Sequence, residues 1–243
     1  MSADDVVGPP REPSFDTVNG APHFRGVRVE HRQVRLGDRT ITIAALRDAT
    51  DLLDRPEFAK RFVEEDRAPY GMELWPAARM LAEHVLRHDP GRGRAAVELG
   101  AGLGLVSIAA TLAGWRVTAS DCDESSRSFA AYNARINGVA LDQLLHLDWH
   151  GDCAIERRFD RVFAADVLYQ AVDHGPILDC SERLLNAGGV AVIVDPNRRI
   201  ADPFPELAAR RGWNVETQPV EACAEDGHRI AGRMFRLRRG DPD

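Results

Sequence analysis

Residues 97–104 read Val-Glu-Leu-Gly-Ala-Gly-Leu-Gly. An apolar run that carries a carboxylate and feeds three alternating glycines constrains this chain more than any bulk property. It is the corner where a strand turns into a helix in a doubly wound α/β sheet. Glycines there let the backbone approach a ligand and take φ > 0 with no Cβ penalty. The spacing separates two ligand classes. A dinucleotide fingerprint is Gly-x-Gly-x-x-Gly, with the pyrophosphate on the helix N-terminus. Here Gly100, Gly102 and Gly104 are spaced Gly-x-Gly-x-Gly, and Glu98 stands just ahead of them. A carboxylate in that place disfavours a pyrophosphate and suits a ligand with a cationic amino-acid end. That points to S-adenosylmethionine. The bland alternative is a glycine turn that binds nothing.

The rest of the chain supplies the elements such a sheet needs. Strands are expected at Ala95–Leu99, Arg116–Ser120, Leu144–Leu147, Arg161–Ala165 and Val190–Asp195, then at Trp213–Thr217 and about Ile230–Leu237. Helices are expected between them, at Leu105–Ala113, Glu124–Asn137, His174–Leu185 and near Pro205–Arg211. This alternation predicts a mostly parallel seven-stranded sheet with helices on both faces. Ahead of it, Ala77–His88 has apolar residues at helical spacing after Trp75-Pro76. Residues 27–45 alternate around Leu36-Gly37-Asp38 and predict a β-hairpin. Residues 48–67 read as a charged connector, and residues 1–22 as a disordered polar tail. The domain boundary is expected near residue 68, with the catalytic-type domain running to Asp243.

Composition mainly excludes. The net charge is −7 and the pI about 5.6, which disfavours a general grip on nucleic acid. Of 31 basic residues only Lys60 is lysine, which reads as codon bias. The four cysteines form no C-x-x-C pair, so free thiols in a reducing cytoplasm are expected rather than disulfides or zinc. No apolar run is long enough for a membrane span. No metal is expected, and nothing indicates the oligomeric state.

In an open α/β sheet the ligand lies at the carboxyl ends of the strands. Each strand end here carries a suitable group. Glu98 and the glycines follow the first strand. Asp121 ends the second and is placed to accept from both ribose hydroxyls, with Asp123 as a neighbouring candidate and a helix N-cap as the alternative role. Asp148 and Trp149 follow the third strand. They offer an acceptor for the adenine amino group and a face or edge for the base, unless Trp149 merely packs in the core. Asp166 and Tyr169 follow the fourth strand, where an acceptor must arrive. The alternative for Asp166 is a turn cap.

Seven segments read ELWPAA (73–78), VELGAGLGL (97–105), TASDCD (118–123), NARING (133–138), LDW (147–149), DVLY (166–169) and DPNR (195–198). Together they resemble the seven-β-strand protein lysine methyltransferases, in particular the electron-transfer flavoprotein β-subunit lysine methyltransferases and their bacterial relatives. The resemblance covers about residues 68–211. It implies transfer of a methyl group from S-adenosylmethionine to a lysine amine of a protein. It implies that Trp75 helps close over the cofactor and that Asp166 and Tyr169 stand at the methyl-transfer centre. Three readings remain open at this point: a protein lysine methyltransferase, a class I methyltransferase acting on a metabolite or nucleic acid, and a silent S-adenosylmethionine-binding module. The Asn/Asp-Pro-Pro-Tyr motif of enzymes that methylate planar nitrogens is absent, which disfavours a nucleobase acceptor. The glycine spacing disfavours an NAD(P) oxidoreductase.

Overall fold

The computed structural model describes residues 15–18, 20–47, 52, 70–151, 153, 155, 158–224 and 227–240. The expected connector at 48–67 lies outside them except for Leu52.

The C-terminal part is a seven-stranded sheet. Its strands are β5 (Ala95–Leu99), β6 (Arg116–Asp121), β7 (Gln143–His146), β8 (Phe159–Ala165), β9 (Leu185–Asp195), β10 (Trp213–Cys223) and β11 (Arg229–Arg239). They lie in the order β10-β11-β9-β8-β5-β6-β7. The five strands β5 to β9 are parallel, and β11 runs antiparallel between β9 and β10. Helices α1 (Pro76–His88), α2 (Leu105–Leu112), α3 (Glu124–Ile136), α4 (His174–Leu184) and α5 (Phe204–Arg210) flank it. Two apolar clusters sit on its two faces. Both faces are therefore covered, and β5 is buried along its whole length, as a central parallel strand requires. The chain leaves β5 toward β6 and later returns on the other side to β8. That reversal opens a crevice at the carboxyl ends of β5 and β8.

The N-terminal extension is larger than a hairpin. The expected pair is present as β3 (Val27–Leu36) and β4 (Arg39–Leu46). Two further strands, β1 (Phe15–Val18) and β2 (Ala21–Phe24), continue it into a four-stranded antiparallel sheet. The disordered-tail expectation is thus corrected for residues 15–18 and 20–22, while residues 1–14 and 19 lie outside the described residues. The physical reason is a long-range contact. The Phe15 ring stacks on Tyr132 of α3 at 4.2 Å and meets Phe24 and Phe129 at 5.3 and 5.0 Å. Phe15→Ala is expected to cost about 1–3 kcal/mol, less than the ~3–5 of a fully buried ring. The melting temperature should fall by about 5 °C. An unchanged melting curve would mean that β1 is not held on α3.

The NARING segment joins the two sheets. Asn133 is fully buried, and its amide mimics a strand edge for β4. It accepts from the Ala44 N–H at 2.7 Å and donates to the carbonyls of Ala44 and Leu103. One helical turn on, Asn137 repeats the pattern with the N–H and carbonyl of Thr42. The i, i+4 spacing puts both amides on one face of the helix end. Leu103 belongs to the glycine turn, so the N-terminal sheet is tied directly to the ligand corner.

Candidate active site

A cleft of about 310 Å³ opens at the carboxyl ends of β5, β6 and β8. It brings together nine of the ten residues singled out from sequence: Trp75, Glu98, Gly100, Gly102, Asp121, Asp148, Trp149, Asp166 and Tyr169. The tenth, Gly104, does not line it. Gly104 takes φ +79° at the start of α2, and a Cβ there would meet the Cα of Ala130 at 3.0 Å. This close approach lets α2 pack against α3.

The other two glycines line the cleft. Gly102 has φ +52°, and a Cβ would come within 2.9 Å of the Gly71 carbonyl oxygen. Gly100 has φ +66°, and a Cβ would press on Val167 and Trp149. Asp121 holds this turn from below, accepting from the Gly102 N–H at 2.9 Å and the Asp123 N–H at 2.9 Å. A carboxylate has about four acceptor positions, so two bonds leave capacity for a diol. The N-cap role falls to Asp123, which accepts from the Ser126 N–H at the start of α3.

Glu98 is buried within β5, and the Ser107 hydroxyl donates to it. Burial pushes its pKa up to about 8, against the Ser107 hydrogen bonds. Burial also lifts Asp121 to about 6. Seven Asp and Glu side chains line the cleft, with no Lys or Arg among the lining residues. Such a wall attracts a cationic ligand and repels a pyrophosphate.

At the β7 end, the Trp149 indole N–H donates to Asp173 at 3.2 Å. The His150 ring lies 2.6 Å from the same oxygen. Trp149 both packs against the core cluster and faces the cleft. Asp148 accepts from the His150 N–H at 3.0 Å.

At the β8 end, Asp166 takes φ +61° and is 8 % exposed. The Arg198 Nε and Nη2 donate to its Oδ1 at 2.8 and 2.6 Å. Its Oδ2 is buried and has no hydrogen-bond partner among the described residues. Burial raises the Asp166 pKa, and Arg198 opposes the rise. Around it, Tyr70 meets Trp75 and Tyr169 edge-on at 5.9 and 6.3 Å, and Arg198 lies 5.6 Å over the Trp75 ring. The Trp75 indole N–H donates to the Tyr70 carbonyl at 2.7 Å.

Sequence reasoning gave no role to Asp173 and Arg198, although Arg198 stood in the DPNR segment. Their partners lie far off or across a turn, so local pattern carried no sign of the contacts.

A family model described as lysine methyltransferase matches residues 56–204, more than half of the chain. The chain belongs to this family. Among curated proteins it is similar to protein-lysine methyltransferase METTL21E of Mus musculus. That alignment is 28 % identical over 167 residues and covers 60 % of this chain and 66 % of the relative. It is also similar to the histone-arginine methyltransferase METTL23 of Rattus norvegicus, 31 % identical over 117 residues, covering 45 % and 51 %. These matches span about half to two thirds of the relatives' length. Among solved structures, the ribosomal protein L11 methylase of Lactobacillus delbrueckii subsp. bulgaricus superposes with a TM-score of 0.51. It shares 20 % identity, with 68 % of this chain and 79 % of that one covered, and therefore the fold. Among the described residues no helix is long and apolar enough to cross a membrane.

Proposed function

We propose that this chain transfers a methyl group from S-adenosylmethionine to a lysine side-chain amine of a protein. The observation that carries the reading is the acidic cleft lined at its β8 end by Asp166, one of whose oxygens is buried without a hydrogen-bond partner among the described residues. The residues fit the donor by chemistry. Glu98 suits the cationic amino-acid end, Asp121 the ribose hydroxyls, and Asp148 and Trp149 the adenine, along a wall that Gly100 and Gly102 keep free of side chains. Bound there, S-adenosylmethionine supplies a methyl group on a sulfonium. Trp75 and Tyr70 cover the cleft mouth and exclude water. Asp166 accepts a hydrogen bond from the incoming amine and orients its lone pair, and Tyr169 supplies a wall that narrows the approach. Four free cysteines, two of them buried, suit a reducing cytoplasm.

Incubation of the purified protein with labelled S-adenosylmethionine and a protein extract of its source tests this. Methyl-lysine in the hydrolysed protein fraction is the expected result. Label confined to small molecules would assign a metabolite acceptor instead. Methylarginine would move the acceptor to the chemistry named for METTL23, and absence of label would leave a binding module.

Donor binding should depend on pH. Glu98 near 8 and Asp121 near 6 are above ordinary carboxylates, so the free protein holds extra protons. A cationic end beside Glu98, and hydroxyls donating to Asp121, favour the ionised forms. Binding then releases protons, and affinity should rise several-fold from pH 6 to 7.5, with a limit of about tenfold per unit per proton. Calorimetry in buffers of different ionisation heat reads this directly. Glu98→Gln should flatten most of the dependence, and a flat wild-type profile would contradict it.

The same raised values weaken the free fold as pH rises. The folded state binds more protons than the unfolded between the ordinary carboxylate range and about 8. The stability from Glu98 is therefore present at low pH and lost toward pH 8.

A further inference from the structure

Asp166 is held asymmetrically. Both donors come from one guanidinium and land on Oδ1, while Oδ2, itself buried, has no hydrogen-bond partner among the described residues, although the residue lines the cleft. Arg198 is itself anchored at both of its backbone ends. Its N–H donates to Asp195 Oδ1 at 2.8 Å, and its carbonyl accepts from Arg233 Nη2 at 2.6 Å. Arg233, on β11, also donates to Asp195 at 3.2 Å and to Asp202 at 2.8 Å. An arginine clamped in this way is not a side chain that happens to rest on a carboxylate.

Asp195 Oδ2 likewise has no partner among the described residues, but Asp195 is fully buried and does not line the cleft. The groups around the Asp166 carboxylate come from every neighbouring element. They are Arg198 and Asp195 beside it, Tyr169, Tyr70 and Glu73 along the same cleft, and Arg233 and Asp202 behind Asp195. Of these, Arg198 and Asp195 act on the Asp166 charge.

A lysine ammonium has no lone pair and must give a proton to solvent before it can attack. A naked carboxylate at the site would stabilise the ammonium and hinder that loss. A carboxylate already neutralised by a guanidinium accepts a hydrogen bond without holding the amine in its charged form.

We infer that Arg198 is a positioning residue: it occupies one oxygen of Asp166, presents the other to the acceptor amine, and by its positive charge promotes loss of the amine's proton. The nitrogen lone pair then forms the bond to the methyl carbon, the departing sulfur keeps the pair of the broken bond, and the new N-methyl ammonium carries the positive charge. Arg233 fixes the loop that carries Arg198. This inference rests on the proposed acceptor role of Asp166.

The test has two readouts. The first needs no acceptor: carboxyl carbon-13 titration of aspartate-labelled protein, with Asp166→Asn assigning the resonance. In Arg198→Met the Asp166 midpoint should move up by about one pH unit or more, and in Arg198→Lys it should stay closer to wild type. The second is the initial rate of methyl transfer to the unfractionated protein extract as a function of pH. Arg198→Met should lose about tenfold or more at neutral pH, with its acid limb displaced about one unit upward, while affinity for S-adenosylmethionine stays within about threefold. Arg198→Lys should recover much of the rate. An Asp166 midpoint unmoved in Arg198→Met overturns the inference, as does a faster variant or an undisplaced limb. If Arg198→Met fails to fold, Arg198→Lys and Arg233→Gln carry the same titration. A wild type that binds no S-adenosylmethionine would sink the donor-site reading, and the Asp166 titration would still decide the role of Arg198.

Discussion

Asp166→Asn is expected to slow methyl transfer by about 100-fold or more at saturating S-adenosylmethionine, with donor affinity changed less than about threefold. Asparagine is the informative replacement. Asp166 sits at φ +61°, a conformation that Asn tolerates and Ala does not, so backbone strain is held constant. What changes is the acceptor: one carboxylate oxygen becomes an amide NH₂, and the negative charge is lost. The separation of rate from affinity follows from position. Asp166 directly follows β8, whereas Glu98, Asp121 and Asp148 lie in β5, at the end of β6 and beyond β7. The turn-cap role considered from sequence has no support in the contacts, since the recorded donors to Asp166 are the two Arg198 nitrogens. Tyr169→Phe isolates the phenol. A mild effect would assign Tyr169 to shape. Single-turnover transfer at the wild-type rate in Asp166→Asn would remove Asp166 from the reaction.

The parts of this molecule that were legible in sequence are those set by local rules. Alternation and glycine stops placed the strands and helices of the parallel core within a few residues, because buried strands are short apolar runs and each crossover returns to the same sheet. The cleft was legible for the same reason: a parallel sheet puts every strand end on one side, so listing the residues after each strand lists the crevice. Where edges and long-range partners decide, the sequence was silent. β10 runs to Cys223 rather than Thr217. It lies at the sheet edge, where exposed polar residues blur the alternation. β9 starts at Leu185 rather than Val190, through Gly188-Gly189 and a register shift against β8. β1 is four residues long, and Phe15 is held by rings more than a hundred positions away. Gly104 shows a second demand on the same motif: it stands outside the cleft lining, where a Cβ would press on Ala130 of the neighbouring helix.

The largest expected loss of stability lies far from any ligand. Asp89, at the end of α1, accepts two parallel bonds from Arg161 at the start of β8, at 2.8 and 2.9 Å, with both side chains under a tenth exposed. Trp115 seals the pair: its indole N–H donates to the Asp89 carbonyl at 2.7 Å, and the Arg161 guanidinium lies 5.2 Å over its ring. Asp89→Ala would leave a buried guanidinium without its counter-charge. The cost expected for such a break is about 3–5 kcal/mol, or a fall in melting temperature of about 10 °C in a chain of this size. Asp89→Leu combined with Arg161→Met removes both charges and keeps the volume filled. Since a buried pair gains little over a well-packed apolar one, the double variant should recover most of the loss. A double-mutant cycle built on the single variants Asp89→Leu and Arg161→Met and their combination, followed by thermal or urea unfolding, reads the coupling. Additive losses would show that the two side chains act independently. The pair also bears on the cleft, because α1 is fixed to the sheet at this end and carries Trp75 at the other. Asp89→Ala should therefore weaken donor binding more than its distance from the cleft suggests, and the double variant should restore that too.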